Sequence, residues 1–337
     1  MKPAYRIEAD GVDITAEIAK RFVSLTFNDN AGFQNDRVTL ELDDREPYIE
    51  LAKFQTKLRI WMGYEQDPDA EADYQGMADM GLFSVDEIQP ERNPARRLKI
   101  VARANDTGGS LKSVKTRSWS NTTYGEMIDI IAAEHGLTSN VHQAFVSIPV
   151  EHLDQTNQSD QGFLTHLAQR NSAIFKVVDG ELFFGPRALS ESAGGKQVTT
   201  TTIAEDELDT WSVTMQKRSE HKRVTARTYD PDEATEVTVE AESDSEAVND
   251  STAHVEEVAP TEQEAFESAS ATAGQLEREK DTLRFSCVGI PTLRAETQLR
   301  ITGIRKGVRD LWLITTVTHT ISRSGYKVDG NCEIPKP

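Results

Sequence analysis

The sequence predicts a mainly β protein in which two tube-like β-barrel domains flank a small helix-hairpin domain. Apolar and polar residues alternate with a period of two over the first and last thirds of the chain, as in half-buried strands. The middle third changes to helical spacing and then to a hairpin pattern. We therefore expect a first barrel over residues 1–104, an α+β insert over 105–190 and a second barrel over 191–337.

The first third contains short alternating apolar runs that are separated by turn residues. The first run places Tyr5 and Ile7 on one face and ends at Asp10-Gly11, a dipeptide that favours a hairpin turn. Short strands of this kind predict a closed barrel or a sandwich. In this part of the chain only Glu46–Phe54 has the composition of a brief helix.

The first predicted helix of the insert follows a flexible joint at residues 105–110, Asn-Asp-Thr-Gly-Gly-Ser. Thr123 stands three residues before Glu126, which is the spacing of a capping box. Gly136 favours the end of this helix. Its apolar face is formed by Met127, Ile130, Ile131 and the alanines that follow.

A second helix of the insert is predicted to pack on a hairpin. Ser159 or Asp160 can cap its first turn. Asp179-Gly180 then marks a tight turn between two apolar runs. We expect this unit to brace the barrels. The apolar face of the helix consists of Phe163, Leu164, Leu167 and Ala168.

An acidic insertion at about 231–282 interrupts the second predicted barrel. It carries thirteen Asp and Glu between Asp232 and Glu267 and no Lys or Arg from Pro231 to Gly274, so most of the net charge of −19 lies here. Its first part has the composition of a solvated loop or ribbon. Strong helix formers then predict a helix over about Thr261–Lys280.

Composition excludes several classes of function. A net charge of −19 disfavours specific binding of double-stranded nucleic acid, which depends on neutralising phosphates with Lys and Arg. The only cysteines, Cys287 and Cys332, form no C-x-x-C pair, and we expect two small buried side chains, with a disulfide as the alternative. The N-terminus lacks the apolar region of a signal peptide, and no run approaches the ~20 apolar residues of a membrane span. We expect synthesis and folding in the cytoplasm.

No motif for catalysis, a cofactor or a metal survives inspection. Residues 67–73 resemble the start of a calcium loop, but Ala72 and Ala78 occupy the positions that require Gly and Glu. The glycines near Lys112 lack the spacing of a phosphate-binding loop. His166 has no accompanying nucleophile motif, and we expect structural roles for it and for the other histidines, His135, His142, His152, His221, His254 and His319.

The order of segments resembles the late control protein D family, the baseplate hub of contractile-tailed phages, which is related to the hub portion of VgrG spike proteins. Six segments carry the resemblance and cover nearly the whole chain. They are YRIEADGVDIT, DRVTLELDD, LRIWMGY with MGLFSVDEIQ, RSWSNTTYGEMIDIIAAEHGL, NQSDQGFLTHLAQRNSAIFKVVDGELFFGP, and GIPTLRAETQLRITGI with LWLITTVTHTISRSGYKVDGNCEIP.

The resemblance implies a structural virion protein of the tail baseplate, assembled in the host cytoplasm, and no enzyme. It implies a homotrimer whose two barrels per chain imitate sixfold symmetry and so join the tail tube to the central spike. Expected partners are the spike protein, the tube and other baseplate proteins, with genomic DNA passing through the lumen without specific binding. Acidic side chains in the lumen would repel its phosphates.

The chain departs from the family pattern at Gln161-Gly162, at Asn171-Ser172 and in the weight of its acidic segment. None of these positions is catalytic in the family. Two alternatives remain open: a hub component of a type VI-like secretion spike, and a tail-associated peptidoglycan hydrolase.

Overall fold

The computed structural model describes most of the chain and bears out a mainly β fold. The described residues are 1–31, 36–65, 76–104, 109–171, 173–178, 180–186, 200–215, 223–230, 235–242, 252–259, 265–266, 268–273 and 281–335. The predicted joint at 105–110, the calcium-like segment 67–73 and His221 lie wholly or largely outside them.

The described strands and helices follow one another along the chain as listed here. The strands are β1 (Pro3–Ala9), β2 (Val12–Asp13), β3 (Phe22–Asn30), β4 (Arg37–Asp43), β5 (Lys57–Tyr64), β6 (Met77–Arg92), β7 (Arg96–Ala104), β8 (Val114–Thr123), β9 (Thr138–Val141), β10 (Pro149–Ser159), β11 (Ala173–Val178), β12 (Glu181–Pro186), β13 (Thr201–Ala204), β14 (Leu208–Met215), β15 (Arg223–Asp230), β16 (Thr235–Glu242), β17 (Thr252–Ala259), β18 (Asp281–Val288), β19 (Gln298–Thr302), β20 (Leu311–Ser322) and β21 (Gly325–Glu333). The helices are α1 (Thr15–Ala19), α2 (Tyr124–Glu134), α3 (Gln143–Val146) and α4 (Asp160–Arg170).

Strands from both predicted barrels join in a single sheet. Its order is β14-β18-β21-β20-β3-β4-β7-β6-β5-β1-β2, and β13 and β19 extend it beside β20. The two parts meet where β3 and β20 pair antiparallel over seven residue pairs, from Ser24 opposite Ser322 to Asn30 opposite Thr316. Strands β1–β7 thus form one wing of the sheet, and β13, β14 and β18–β21 form the other. The domain boundaries themselves stay a prediction.

One hydrophobic core serves both wings. Leu25 and Ile60 of the first wing and Trp312 and Val328 of the second are fully buried in the same cluster. At roughly 25 cal/mol per Å² of apolar surface, burial of this kind is the main force that holds the wings together. The alternating runs of the sequence are therefore confirmed as core-facing strands.

Buried polar contacts lie at the junction between the wings. His319 accepts a hydrogen bond at Nδ1 from the Tyr326 hydroxyl (2.7 Å) and donates from Nε2 to the Leu293 carbonyl (3.0 Å). The Tyr64 hydroxyl of the first wing donates to the Gly289 carbonyl of the second (2.8 Å). Burial, together with the nearby positive charge of Arg294, lowers the pKa of His319 to about 4. The histidine is thus neutral and fully satisfied.

The insert forms a separate core of its own. An antiparallel ribbon of β8 and β10 and a three-stranded sheet of order β11-β12-β9 enclose α2 and α4. Both predicted helix starts are confirmed: Thr123 accepts from the Glu126 amide, and Ser159 accepts from the Gly162 amide. The predicted packing of α4 on the hairpin is also confirmed, because its apolar face is buried in one cluster with Phe175, Leu182 and Phe184.

The acidic insertion forms a small layered unit where the sequence predicted a loop or ribbon followed by a helix. Strands β16, β15 and β17 pair in that order, so the ribbon is present. Residues 265–266 and 268–273 are helical, within the predicted helix. The helical alanines are buried against the sheet together with Val224 and Ala226; they are Ala265, Ala269 and Ala273.

The brief helix expected at Glu46–Phe54 is not formed, and this segment is an irregular loop. The Arg21 guanidinium donates to the carbonyls of residues 43, 45 and 47, and these hydrogen bonds stabilise the non-helical course of the loop. The Asp44 side chain also accepts from the Ile49 amide (2.8 Å), a local bond that competes with helix formation. A short helix instead occurs at α1, which the sequence patterns did not indicate.

Acid is expected to loosen the junction through His319. Its pKa rises from about 4 in the fold to the ordinary 6.5 on unfolding, so the unfolded state binds the proton as the pH falls below 6.5. By linkage the free energy of unfolding drops by about 2 kcal/mol between pH 7 and pH 5. In His319→Gln, which retains one donor and one acceptor, this part of the pH dependence is lost. Urea unfolding at both pH values measures it; equal pH dependence in the two proteins contradicts the assignment.

Candidate functional site

The densest polar cluster of the described residues surrounds Asp160, the first residue of α4. Its carboxylate is fully buried and accepts from Lys115 Nζ and Arg117 Nη2 (each 2.6 Å), from His135 Nε2 (2.8 Å) and from Gln155 Nε2 (2.8 Å). Four donors from three neighbouring elements thus converge on one side chain. We call these residues the Asp160 cluster.

Local sequence explains how the cluster assembles. Lys115 and Arg117 stand two residues apart on β8, so both side chains leave the same face of the ribbon. Gln155 faces them from β10, opposite Arg117 in register. Asp160 follows the Ser159 cap, where a negative charge also interacts favourably with the helix dipole.

Electrostatics keeps Asp160 ionised. Burial alone would raise its pKa, but the hydrogen bonds from Lys115, His135 and Gln155 outweigh this and lower the pKa to about 2. Glu134 joins the same two cations, at 2.7 Å from Lys115 and from Arg117. The cluster therefore balances two cations against two carboxylates and ties α2 and α4 to the ribbon.

Three members of this region have ligand atoms within 4.8 Å of one another, namely Glu134, His135 and Asp160. A metal ion would need their carboxylate oxygens, but Lys115 and Arg117 already occupy these as charge-assisted donors. The donor set suits an ion-pair network and does not suit a metal centre.

A second buried cluster fastens the insert to the sheet. Lys176 of β11 donates to Asp36 Oδ1 (3.3 Å), to Asp29 Oδ1 (3.4 Å) and to the Asn30 carbonyl (3.3 Å). The other oxygen of Asp29 accepts from the Ala295 amide of the second wing (3.1 Å). We call this group the Lys176 latch, because it holds the insert and both wings at one point.

The latch carries one more carboxylate than cations. Burial, reinforced by the negative charge of Asp29, raises the pKa of Asp36 to about 6. Burial alone would lower the pKa of Lys176, but the two carboxylates outweigh it and raise that pKa. Lys176 therefore stays charged, and the latch depends on it.

One Ser-His-Asp arrangement occurs on the outer face of the β8–β10 ribbon. The Ser120 hydroxyl lies 2.9 Å from His152 Nδ1, and His152 Nε2 lies 3.3 Å from Asp154. The side chains of His152 and Asp154 are 62% and 54% exposed, whereas a catalytic triad needs a buried, orienting carboxylate and an oxyanion hole. This arrangement is a cross-strand hydrogen-bond chain on an open surface.

The histidines singled out in the sequence have separate roles. His166 lies 2.8 Å from the Gln158 amide on the surface of α4, and His142 caps α3 by accepting from the Ala144 amide (3.2 Å). His254 contacts the Thr225 hydroxyl (2.6 Å). Among the six histidines that the structure describes, only His135 and His319 belong to buried side-chain networks, and these six do not form a common cluster.

Cys287 and Cys332 are free and buried, as expected, and burial raises the pKa of the Cys287 thiol to about 12. Opposite Cys332 in the β18–β21 pair is Leu283, which lies four residues along the strand from Cys287. None of the helices in the described part of the chain has the length and apolarity to span a bilayer.

Comparison with known proteins decides the family. The profile of the phage tail baseplate hub (GPD) family matches residues 82–325, which is well over half of the chain. The chain belongs to this family. It is therefore a structural protein of phage tail baseplates, and the predicted resemblance to the baseplate hub family is confirmed.

Individual relatives agree with the family. A probable baseplate hub protein of Escherichia phage 186 is 30% identical over 374 aligned positions, which cover 99% of this chain and 93% of the relative. The 43 kDa tail protein of prophage MuSo2 from Shewanella oneidensis has a TM-score of 0.73 at 14% identity, with 99% of both chains covered. A chain of a Francisella PdpA–VgrG complex has a TM-score of 0.58 at 9% identity, covering 99% of this hub protein and 53% of that chain. The last two likenesses show a shared fold.

Sequence reasoning missed both buried clusters of this hub protein. It treated Asp160 only as a possible cap, and it did not consider Lys176 or Asp29. One signal was present for the first cluster. Lys115 and Arg117 lie on the same face of β8 as Trp119, and that face should be apolar. No comparable signal existed for the latch, because Lys176 lies 140 positions from Asp36 and 147 from Asp29.

Removal of the Asp160 charge is expected to destabilise the insert. In Asp160→Asn the side chain keeps its size, but Lys115 and Arg117 lose the buried negative charge with which they pair, which costs about 3–5 kcal/mol. Hydrogen exchange of α4 should accelerate accordingly, while exchange in β3 and β20 stays unchanged. Asp154→Asn, an exposed change on the same ribbon, serves as the control and should shift exchange by less than about 1 kcal/mol. Equal exchange rates in both variants would contradict a central role for Asp160.

Loss of the latch is expected to release the insert from the sheet. Lys176→Met leaves two buried carboxylates without a cation. Either one carboxylate takes up a proton, or the site opens to water. Limited proteolysis should then cut between the insert and the wings at least several-fold faster. Adding Asp36→Asn should restore part of the resistance, because it removes the excess charge. A double variant that is no more resistant than Lys176→Met would refute the coupling.

Proposed function

We propose that three copies of this chain form a ring that mounts the central spike on the tail tube. Each copy contributes two similar sheet wings, so the ring has threefold symmetry and approximates sixfold symmetry. Such a particle can face a sixfold tube on one side and a threefold spike on the other. The six similar wings match the repeat of the tube, and the three copies of the chain match the repeat of the spike.

The observation that carries this proposal is the β3–β20 pairing. It places both wings in one continuous sheet over a shared core, so each chain presents them at a fixed spacing. The Lys176 latch adds a third anchor where the insert meets both wings. A rigid pair of wings is what symmetry matching requires, since independent barrels on flexible linkers would not hold a common ring geometry.

The proposed partners are further copies of the chain, the spike protein, the tail tube and other baseplate proteins. The genome would pass through the central channel of the ring without specific binding. The net charge of −19 supports this part of the proposal, because acidic walls repel DNA phosphates. The chain would be made and assembled in the cytoplasm of the host and act in the virion.

The other two candidate functions have less support. The fold shared with VgrG is compatible with a secretion spike, but the curated relative at 30% identity is a phage hub protein. A peptidoglycan hydrolase would need a protected acid and base, and the exposed Ser120–His152–Asp154 chain lacks that protection. We therefore also infer a purely structural role without enzymatic activity.

Native mass spectrometry tests the proposed assembly. We expect a particle that contains three copies of the 37.5 kDa chain, either for the protein alone or in complex with its spike protein. A reconstructed ring should show two superposable wings per chain around the axis. Dimers, or a stoichiometry that is not a multiple of three with the spike bound, would overturn the proposal.

A further inference from the structure

A groove of roughly 470 Å³ lies on the insert, away from the Asp160 cluster and the latch. Its walls are the first turns of α2, the strand β9 and the end of α3. Gly125 allows the close approach of α3 to α2, because a Cβ at this position would lie 2.9 Å from the Val146 carbonyl oxygen. The sequence thus shapes one wall of the groove through a single missing side chain.

The strand beside the groove has an open edge. β9 is the last strand of the β11-β12-β9 sheet, and on its other side the described residues supply no partner strand. The amides of Thr138 and His142 point towards β12. They donate to the carbonyl of Gly180, just before that strand (3.0 Å), and to the carbonyl of Phe184 (2.9 Å). Because amides alternate along a strand, those of Ser139 and Val141 point away from β12, towards the groove that both residues line.

The groove combines this edge with acidic and apolar side chains. Glu126 and Asp129 lie one turn apart on α2, and hydrogen bonds from Thr122 and Ser139 hold their carboxylates in place. Val146 is 42% exposed at the rim. Every ionisable side chain of the lining is acidic, so the groove selects for a positively charged occupant.

We propose that this groove binds an extended, basic segment of another tail protein, which adds as a strand to the free edge of β9. The exposed amides and carbonyls of β9 would supply main-chain hydrogen bonds, as in other cases of strand addition. Lys or Arg side chains of the segment would reach Glu126 and Asp129, and an apolar side chain would cover Val146. The identity of the partner as a tail protein rests on the proposed hub function; the binding of a basic strand does not.

A peptide of alternating Lys and Val, seven residues long and fluorescently labelled, provides the probe, with a Glu-Val peptide of equal length as the control. Anisotropy titration of the full chain should show at least a tenfold preference for the Lys peptide, and the affinity should fall with added salt. Hydrogen exchange at residues 138–141 should slow when the Lys peptide is bound. Equal affinity for both peptides, or protection only outside β9, would overturn the proposal.

Three variants distinguish binding at the groove from non-specific attraction to the negative charge of the whole chain. Glu126→Gln with Asp129→Asn should weaken binding about fivefold to thirtyfold, while Glu151→Gln, an exposed change on β10, should leave it unaltered. Val141→Pro removes an outward amide and leaves the pairing with β12 intact, so it should also weaken binding. If Val141→Pro fails to fold, the charge variants remain decisive. Equal losses in all the variants, or in none, would refute the site.

The same samples distinguish this inference from the hub function. Native mass spectrometry reports the trimer, whereas anisotropy reports the peptide. If the protein forms a trimer but does not bind the Lys peptide, only the groove proposal is refuted. If it stays monomeric but binds the peptide at β9, only the ring proposal is refuted.

Discussion

The pairing of β3 with β20 is the interaction on which the rest of this structure depends. It joins strands that lie nearly three hundred residues apart in the chain, and it converts two separate stretches of alternating sequence into one sheet with one core. The polar chain through His319, Tyr326 and Leu293 lies directly beside this junction. Because every donor and acceptor in that chain is satisfied, the junction can be buried without a penalty for lost hydration.

The insert is attached to this junction and not to a distant surface. Lys176 reaches Asp29 and Asn30 at the end of β3, and Asp29 in turn bonds the Ala295 amide of the second wing. Inside the insert, the Asp160 cluster plays the corresponding part for α2, α4 and the β8–β10 ribbon. Both clusters exchange hydration for directed ion pairs, which adds little net stability but makes any other arrangement costly.

The sequence predicted secondary structure well wherever the signal was local. Thr123, Ser159 and Asp10-Gly11 are short-range signals, and all three occupy the caps and the turn that they predicted. No helix forms at Glu46–Phe54, because Arg21, 26 positions away, binds the Pro47 carbonyl, which a helix would have used. Patterns within one segment contain no information about a distant guanidinium.

The sequence by itself determined the mainly β class, the helix-hairpin insert and the membership of a baseplate hub family. These follow from the period of apolar residues and the order of segments, which a linear chain displays directly. Only the tertiary structure decided that the two wings share one sheet, that Asp160 and Lys176 are the centres of buried ion-pair clusters, and that β9 leaves an acidic groove beside an open edge. Each of these depends on which strands become neighbours, and that choice is made by burial and hydrogen bonding across the whole molecule.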